Sequence, residues 1–567
     1  MQGRAHPSIS LGFETAAALW RRTIAPLRIA WRRSWMYRLQ LRGRLPDRIV
    51  ISPDISSPRR LEEADQMLRG RFRFNGETVD VSQGSIFDKP PPSPAWAEAL
   101  HSFAWLAALS SAGGEPARIL ATNLITQWLK RHGRYSEPAW RADILGQRLI
   151  NIFAYGRFVL ANSEVTWRSR LFVSLREQSR MLARISKEAP DGLPRLEAAA
   201  AHALSGLCLN DQSKRLTSGL ERLETELARQ ILPDGGHASR SPEALLRAYE
   251  LLAAVTDALD VVNVVTPLPL RTARDRMAPM LRFFRLGDGA LAMFNGGREG
   301  EAKAIANLLA RDEVRGQPFA YAPDSGYQRL TAGRNLLVMD CGTPPQGAFA
   351  NAAHASCLAF EVSVGNQRVV VNCGASDDER KWGSILRATA AHSTVTLADR
   401  SMATILTGQL ARLLGPRLLG GPQAIETNRQ ETPAGWTVDA AHDGYLDLFG
   451  VVHDRRVTLS PNGKLISGFD RLARKPGRRG IEAVPFTARF HIHPDIRVSA
   501  SQGGGALLKL ASGEGWRFQA SGGELTIDKS VYLANETMRR TEQLVIGGVI
   551  RNEPVELGWV FERISAG

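Results

Sequence analysis

The chain has 567 residues and a mass of 62.1 kDa, too long for one compact core, so two or three domains are predicted. Hydrophobic residues make up 44% and charged residues 23%, which is ordinary globular usage and excludes a disordered chain, a collagen-like chain and a coiled-coil rod. A disulfide scaffold and a four-thiolate zinc site are also excluded, because the cysteines show neither CxxC nor zinc-finger spacing: Cys208, Cys341, Cys357 and Cys373.

The formal net charge of +15 is concentrated near the N-terminus, where the first 60 residues hold twelve arginines, no lysine and three acidic residues. Such a charge attracts nucleic acid, anionic lipid or an acidic polymer, and charge alone does not select among them. No run of about 18 apolar residues occurs, so we expect no transmembrane helix. We also expect no standard secretion signal, because Glu14 and Arg21-Arg22 interrupt the only early apolar stretch.

Residues 1–45 are predicted to form a basic amphipathic arm. Arginines occupy much of the surface of this segment. The apolar residues recur at steps of three and four: Trp20, Ile24, Leu27, Trp31 and Trp35. The pattern predicts a helix that starts or is interrupted at Pro26. Two interpretations stay open: residues 20–45 lie on an anionic membrane surface, or the tryptophans dock on the protein's own globular body.

Residues 46–94 are predicted to form a small segment and a linker. Arg71-Phe72-Arg73-Phe74 alternates and is followed by Asn75-Gly76, which is typical of a hairpin turn. The proline cluster between Pro90 and Pro94 then marks a boundary. Beyond it, residues 95–285 show a helical period broken by short Gly and Pro turns, which predicts an all-α domain of helical hairpins.

Residues 286–330 are predicted to connect the helical domain to a β domain over residues 331–567. In that last range the hydrophobic period changes to two, as in Leu358 to Val364 and Arg456 to Leu459, with Gly, Asn, Asp or Pro between the runs. Helices first and strands afterwards indicate segregated domains, so the fold class is multidomain α+β with an antiparallel β-sandwich.

Several stretches together resemble the heparinase II/III-like family of polysaccharide lyases, from about residue 60 to the end. They are Leu100 to Leu106, Asp234-Gly235-Gly236-His237 with Ser241-Pro242, His354 with Leu358 to Glu361, Arg387 to Thr394, His442 to Tyr445, and His453-Asp454-Arg455. The resemblance implies an incomplete (α/α) toroid followed by a β-sandwich. It also implies β-elimination on a uronate-containing polysaccharide, in which a donor neutralises the carboxylate, a base removes the C5 proton and an acid protonates the leaving oxygen.

The family's His-x-His pattern falls on Ala352 and His354, so the first histidine, a catalytic candidate in the family, is replaced. The resemblance implies zinc as a cofactor, with His354, Asn372 and His392 as its ligands. Asn372 stands where the family has an acidic ligand and is the poorer ligand because it carries no charge. His392 comes from the family's Arg-x-Thr-x-x-His pattern and is also a catalytic candidate.

On the helical side, the tyrosine that follows Asp-Gly-Gly in the family is absent, and Ala244 stands in its neighbourhood. Four polar residues that could face a cleft are assigned to substrate binding: Arg195, His202, Arg240 and Arg387. His237 and Tyr445 are assigned as catalytic candidates. Structural interpretations stay open for five of them: a turn for His237, helix packing for His202, ion pairs for Arg195 and Arg387, and a core position for Tyr445.

The sequence thus leaves three hypotheses. The first is a lyase that cleaves an acidic polysaccharide in a basic cleft between the two large domains. The second is a glycan-binding or envelope-assembly protein that keeps the fold without turnover, as Ala352 and Ala244 suggest. The third is a nucleic-acid or membrane-surface binder acting through the basic arm, although no module for specific nucleic-acid recognition follows it. The family resemblance implies the cell envelope or periplasm, while the lack of a signal leaves the cytoplasm and the membrane periphery open, and the oligomeric state is undetermined.

Overall fold

The computed structural model describes residues 7–55, 60–81, 83–209, 214–311, 318–376, 378–475, 483–534 and 537–565. The chain divides into two compact units. The first comprises Met1–Gln230 and Arg247–Arg274, and the second comprises Ile231–Leu246 and Asp275–Gly567. The second unit therefore includes a short stretch taken from the middle of the helical region, whereas the domain limits inferred from sequence stay a prediction.

Helices make up most of the chain up to residue 310. They are α1 (Pro7–Arg33), α2 (Trp35–Gln40), α3 (Leu61–Leu68), α4 (Pro94–His101), α5 (Trp105–Ala112), α6 (Gly114–His132), α7 (Ala142–Ala154), α8 (Gly156–Leu160), α9 (Val165–Ile185), α10 (Leu193–Cys208), α11 (Lys214–Gln230), α12 (Pro242–Val261), α13 (Leu268–Phe284) and α14 (Ala302–Ala310). Helix α4 begins where the proline cluster ends, with the Ser93 hydroxyl accepting a hydrogen bond from the Trp96 amide at 3.2 Å.

The helices of the first unit pack through small residues. The alanine-rich face of α10 contacts α7 and α11, and a Cβ added at Gly146 or Gly219 would lie 3.0 or 2.6 Å from the backbone of Ala198 or Ala203. Glycine lets the helix axes approach this closely, because any side chain would collide with backbone. The alanines and glycines of the sequence thus set the spacing of the helical layer.

Helix α1 runs through Pro26, so the predicted interruption at this residue is wrong. A proline inside a helix deprives one carbonyl, here that of Arg22, of its N–H donor, and both residues are exposed, so water can bind that carbonyl. The predicted hairpin is confirmed: β1 (Arg71–Phe74) pairs with β2 (Glu77–Asp80), and Asn75 and Gly76 both have positive φ.

The second unit is built around two antiparallel sheets. Their strands are β3 (Tyr321–Ala322), β4 (Tyr327–Ala332), β5 (Asn335–Asp340), β6 (Phe360–Val364), β7 (Gln367–Val371), β8 (Val395–Leu397), β9 (Ala403–Ile405), β10 (Leu418–Gly420), β11 (Ile425–Thr432), β12 (Gly435–His442), β13 (Val451–Leu459), β14 (Leu465–Arg474), β15 (Val484–Ile492), β16 (Arg497–Ala500), β17 (Ala506–Lys509), β18 (Gly515–Ser521), β19 (Glu524–Tyr532), β20 (Arg539–Ile550) and β21 (Val555–Ser565). Three short helices interrupt them: α15 (Ser384–Leu386), α16 (Gly408–Leu414) and α17 (Leu446–Phe449).

One sheet has the order β19-β20-β15-β7-β6-β5-β4-β3, with β8 also paired to β15, and the other has the order β11-β12-β13-β14-β21-β18-β17-β16. Strands β9 and β10 form a separate pair. A single apolar core lies between the two large sheets, where Phe360 of one stacks on Trp559 of the other at 5.4 Å. The alternation of buried and less buried residues along β13 shows why a period of two marked this region as a sandwich.

Candidate functional site

The loop that carries His354 is the centre of the candidate site in the second unit. It follows a 3-10 turn over Gly347–Ala352 and is held by the guanidinium of Arg387. All three nitrogens of that group donate to backbone carbonyls, at 2.8 Å to Ala353, 3.2 Å to Ala350 and 2.6 Å to Pro416. Arg387, predicted to bind substrate, therefore has its donors engaged within the protein and fixes the loop.

His354 and His392 come together as the family resemblance implied, but they contact each other directly. Nδ1 of His354 lies 3.0 Å from Nε2 of His392, and Nδ1 of His392 lies 2.9 Å from the Ala388 carbonyl. Since a carbonyl only accepts, His392 carries its proton on Nδ1, and its Nε2 accepts the proton of His354 Nδ1. In the neutral pair this leaves Nε2 of His354 as an unprotonated nitrogen.

Both imidazoles are neutral near pH 7 because they are buried. Burial lowers the pKa of His392 to about 4 and the pKa of His354 well below its usual value, with the neighbouring ring and Arg387 adding to the effect on His354. The backbone amide of His354 donates to the side-chain oxygen of Asn295 at 3.2 Å, which further fixes the loop. The pair can accept one proton at His354 only at the cost of charging a buried group.

Asn372 has its amide engaged elsewhere. Its nitrogen donates to the Met293 carbonyl at 3.1 Å and to the Glu361 carboxylate at 3.2 Å, and its oxygen accepts from the Ser393 amide at 3.1 Å. Burial raises the pKa of the Glu361 carboxyl to about 7. These bonds tie β7 to the start of β8 and give Asn372 a structural role.

This arrangement does not fit zinc. A structural zinc ion needs about four protein ligands, and the predicted set supplies two imidazoles and the amide of Asn372, whose oxygen is already bonded to the Ser393 amide. Across the described ranges, no group of three or more His, Cys, Asp or Glu side chains is placed to hold a metal ion. The zinc site expected from the family resemblance thus gains no support from the geometry.

The stretch from Ile231 to Leu246 brings His237 and Arg240 into the same unit as the histidine pair. Nδ1 of His237 accepts from the Ser239 amide at 3.1 Å, and the ring lies edge-on to Phe349, in the 3-10 turn before the His354 loop, at 6.1 Å between ring centres. Burial lowers the pKa of His237 to about 4. His237 is therefore a buried neutral residue beside the candidate loop, not an exposed turn residue.

Arg240 is enclosed rather than presented to a ligand. Its guanidinium forms a buried ion pair with Asp340 and donates to the carbonyls of Ser325, Gly342, Thr343 and Gly326. Its own carbonyl accepts from the hydroxyl of Tyr327 at 2.7 Å. The predicted role of Arg240 in substrate binding finds no free donor in this arrangement.

The remaining predicted residues are bonded within their own units. In the first unit, Arg195 bonds to the Ala189 carbonyl and to Asp191, and His202 is fully buried between α10 and α11, where it contacts Ser218. In the second unit, Tyr445 is fully buried and donates to the Val395 carbonyl at 2.9 Å. His202 and Tyr445 thus match the structural interpretations that the sequence left open.

The second unit also contains a buried polar cluster to which the sequence analysis assigned no role. His442, His453 and Asp470 are connected in sequence, with 3.2 Å between Nε2 of His442 and Nδ1 of His453 and 2.7 Å between Nε2 of His453 and the carboxylate. Arg455 grips the same carboxylate with two nitrogens and donates to the Leu358 and Ser393 carbonyls of the opposite layer. In the sequence, this cluster is indicated by the spacing of His453 and Arg455, which places both on one face of β13. Its bonds connect the two layers of the sandwich.

The N-terminal arm, here defined as α1 and α2, forms a second candidate surface. Arg28 and Arg32 pair with Glu188 in the first unit, and Arg38 lies 3.4 Å from Glu177 of α9. The buried hydroxyl of Tyr37 lies 3.2 Å from the sulfur of Met181. The arm is therefore attached to its own unit through arginines and Tyr37.

The tryptophans of the arm point into solvent. Trp20 is 67%, Trp31 45% and Trp35 72% exposed, and Leu27 is 74% exposed. The interpretation in which the tryptophans dock on the globular body is therefore wrong, because Glu188 and Glu177 draw the arginine side of the arm inward instead. No described helix combines the length and apolarity that crossing a bilayer requires.

Comparisons with known proteins agree with this architecture. Residues 314–560 match the family model described as Heparinase II/III-like, C-terminal. A curated relative, FtsZ-localized protein C from Caulobacter vibrioides, is 31% identical over 532 residues, which cover 92% of this chain and 91% of the relative.

Solved structures show the same fold. A crystal structure of heparinase III superposes with a TM-score of 0.70 at 15% identity and covers 94% of this chain and 89% of its own. Heparan sulfate lyase HepC from Pedobacter heparinus superposes with a TM-score of 0.56 at 16% identity, over 99% of this chain and 92% of its own. The predicted toroid and β-sandwich are confirmed, and the chain belongs to the heparinase II/III-like family of polysaccharide lyase-like proteins.

Proposed function

We propose that the protein is a peripheral membrane protein on a lyase-like fold, held at an anionic bilayer surface by its N-terminal arm, with no polysaccharide turnover. The observation that carries this proposal is the outward-facing apolar side of α1 and α2. A soluble protein rarely leaves several tryptophans of one helical segment in water, so such a patch marks a binding surface. Tryptophans flanked by arginines suit the boundary between headgroups and acyl chains.

The energetics favour a membrane as the partner. Burial of a large apolar side chain contributes about 1.5–3 kcal/mol, and seven such residues are exposed among the described side chains of the arm: Leu19, Trp20, Leu27, Trp31, Trp35, Met36 and Leu39. Each arginine near an anionic surface adds about 1 kcal/mol. Together, apolar burial and electrostatic attraction supply more binding free energy than a single apolar anchor does. Reversible membrane binding that depends on both contributions is therefore expected.

The loss of turnover is supported by the engaged side chains of the candidate site. β-Elimination needs a donor that neutralises the uronate carboxylate, and the guanidinium groups of Arg240 and Arg387 are bound to internal partners. Ala352 and Ala244 stand where the family offers catalytic side chains. This favours the hypothesis of a glycan-binding or envelope-assembly protein over that of an active lyase.

A vesicle assay tests the membrane proposal. The full chain should sediment with vesicles that contain phosphatidylglycerol and remain free with vesicles of phosphatidylcholine alone. The double variant Trp20→Ser with Trp35→Ser should bind about tenfold or more weakly. The matched control, Val165→Ser with Leu268→Ser, removes two equally exposed apolar residues outside the arm and should bind like the wild type. Equal weakening by both pairs, or stronger binding to duplex DNA than to vesicles, would contradict the proposal.

Lyase activity on an acidic polysaccharide is the second candidate, favoured by the unprotonated Nε2 that the histidine pair leaves on His354. No partner for this nitrogen occurs among the described residues, so it is the one group of the pair that can accept a proton from substrate. Ultraviolet absorbance of an unsaturated uronate, over a panel of acidic glycans, decides the matter. Product formed by the wild type and lost in His354→Gln would establish this candidate in place of the inactive scaffold.

The location proposed for the protein draws on its relative. FtsZ-localized protein C is named for its localisation with FtsZ. We extend that property to this chain and place the membrane surface at the division site. A fluorescent fusion should form bands that coincide with FtsZ, and a uniform distribution in dividing cells would refute this extension.

A further inference from the structure

A pocket of about 160 Å³ lies at the junction of α1 and α2 in the first unit. It is lined by residues of the junction itself, by Gly133, Arg134 and Tyr135, by Trp140, and by α9. A single water needs only about 10–15 Å³ of such space, so the pocket has room for a larger group. The exposed Trp35 also lines it, which connects the pocket with the apolar face of the arm.

The charge of the lining is strongly positive. Four arginines and one carboxylate line the pocket: Arg32, Arg33, Arg38, Arg134 and Glu177. Arg32 pairs with Glu188, and Arg38 pairs with Glu177. Within the described residues, the side chains of Arg33 and Arg134 make no hydrogen bond or ion pair, so two positive charges remain unbalanced at this site. A pocket of this kind favours an anion that accepts several hydrogen bonds.

The rest of the lining is apolar or aromatic. Tyr37, Leu41, Trp140 and Met181 contribute carbon surface, and the Arg32 guanidinium lies over the Tyr135 ring at 5.8 Å. A bare inorganic anion would use only the charges, whereas an anion attached to a glycerol backbone would use the carbon surface as well. The position beside Trp35 places such a backbone next to the residues proposed to enter the bilayer.

We propose that this pocket binds the phosphate of an anionic phospholipid headgroup, with Arg33 and Arg134 as the hydrogen-bond donors. The inference deepens the proposed membrane association and rests on it. The arm then has two functions: its tryptophans supply apolar burial, and its junction recognises one headgroup.

Vesicle partitioning with paired variants tests the pocket. Arg33→Gln with Arg134→Gln should lower partitioning onto phosphatidylglycerol vesicles about tenfold, because it removes both specific donors. The control Arg157→Gln with Arg170→Gln makes the same charge change at two exposed arginines outside the pocket and should lower it less than about threefold. Equal losses of partitioning in the two variants would show that only general electrostatic attraction is affected, and would contradict the proposed headgroup site.

Calorimetric titration of the full chain in solution separates the sources of phosphate. Monomeric dihexanoyl phosphatidylglycerol should bind the wild type and not the Arg33→Gln, Arg134→Gln variant, while sodium phosphate at the same concentration should not compete. Competition by sodium phosphate, or no binding of the short-chain lipid, would overturn the proposal. Because this titration needs no bilayer, its failure is distinct from a failure of the tryptophan variants to lose vesicle binding.

Discussion

Acid should unfold the second unit at a pH well above that expected for its carboxylates. Five of its histidines are buried and neutral: burial lowers the pKa of His237 and His392 to about 4, that of His491 to about 3, and those of His354 and His442 well below 6.5. In the unfolded chain each titrates near 6.5. Since the folded pKa is depressed, the stabilisation is complete above pH 6.5 and is lost as the pH falls toward 4.

The magnitude follows from the linkage between protonation and folding. Between pH 7 and pH 5.5 the unfolded state gains most of a proton at each histidine and the folded state gains none, so each one costs about 1.3 kcal/mol and five cost about 6 kcal/mol. This loss is comparable with the whole stability of many domains, about 5–15 kcal/mol. The Glu361 carboxyl opposes this loss by about 1.6 kcal/mol, because burial raises its pKa to about 7 and it takes up a proton in the folded state alone, which leaves a net loss of about 5 kcal/mol. Carboxyl groups with ordinary pKa values near 4 contribute little between pH 7 and pH 5.5.

Urea unfolding followed by near-ultraviolet circular dichroism at pH 7.0 and pH 5.5 measures this loss. His491 provides the variant, since its Nε2 donates to the Ala390 carbonyl at 3.0 Å and a glutamine amide offers a similar donor. His491→Gln should reduce the pH-dependent loss by about 1.3 kcal/mol, whatever its effect at pH 7. A urea midpoint that stays constant down to pH 5.5, or a pH dependence unchanged in the variant, would refute the assignment of neutral buried imidazoles.

Three further predictions concern stability and metal content. Asp470→Asn should destabilise the protein by about 3–5 kcal/mol in urea unfolding, because Arg455 stays buried without its carboxylate, whereas Asp439→Asn at a partly exposed pair should cost below about 1 kcal/mol. Gly219→Ala should lower the melting temperature, because its Cβ meets backbone at 2.6 Å, while Gly12→Ala, with open space around it, should leave the melting temperature unchanged or raise it. Elemental analysis should find less than stoichiometric zinc, and added zinc should not raise the melting temperature, since the described residues of the candidate site offer two imidazoles without a third free ligand.

The order of helices and strands was predictable because hydrophobic period reports which side of an element is buried. The alternation in β13 and the helical spacing from residue 95 onward are local properties of the chain. The same holds for the packing of His202, whose neighbours in α10 are alanines and whose burial follows from them. These inferences succeed because the cause and the effect lie within a few residues of each other.

The orientation of the arm was not predictable in this way. Its helical pattern shows an apolar side and a basic side, and either can face the body. The choice is made by Glu177 and Glu188, which lie about 140 residues or more from their arginine partners along the chain. A sequence pattern within the arm carries no information about those distant carboxylates, so the exposed tryptophans emerged only from the structure.

The state of the candidate site depends on the same kind of distant pairing. A motif identifies which residues are present, but catalysis depends on which of their atoms remain free. Arg240 and Arg387 are retained with every guanidinium nitrogen bonded inside the protein, and His392 is bonded to His354. Side chains that bond internally contribute to folding whether or not the protein turns over a substrate. The positions free to change are those with no internal partner, and Ala352, which is exposed at the end of its 3-10 turn, is such a position. The retained motifs are therefore expected in an inactive scaffold as much as in a lyase, and only the loss of the unbonded side chains separates the two.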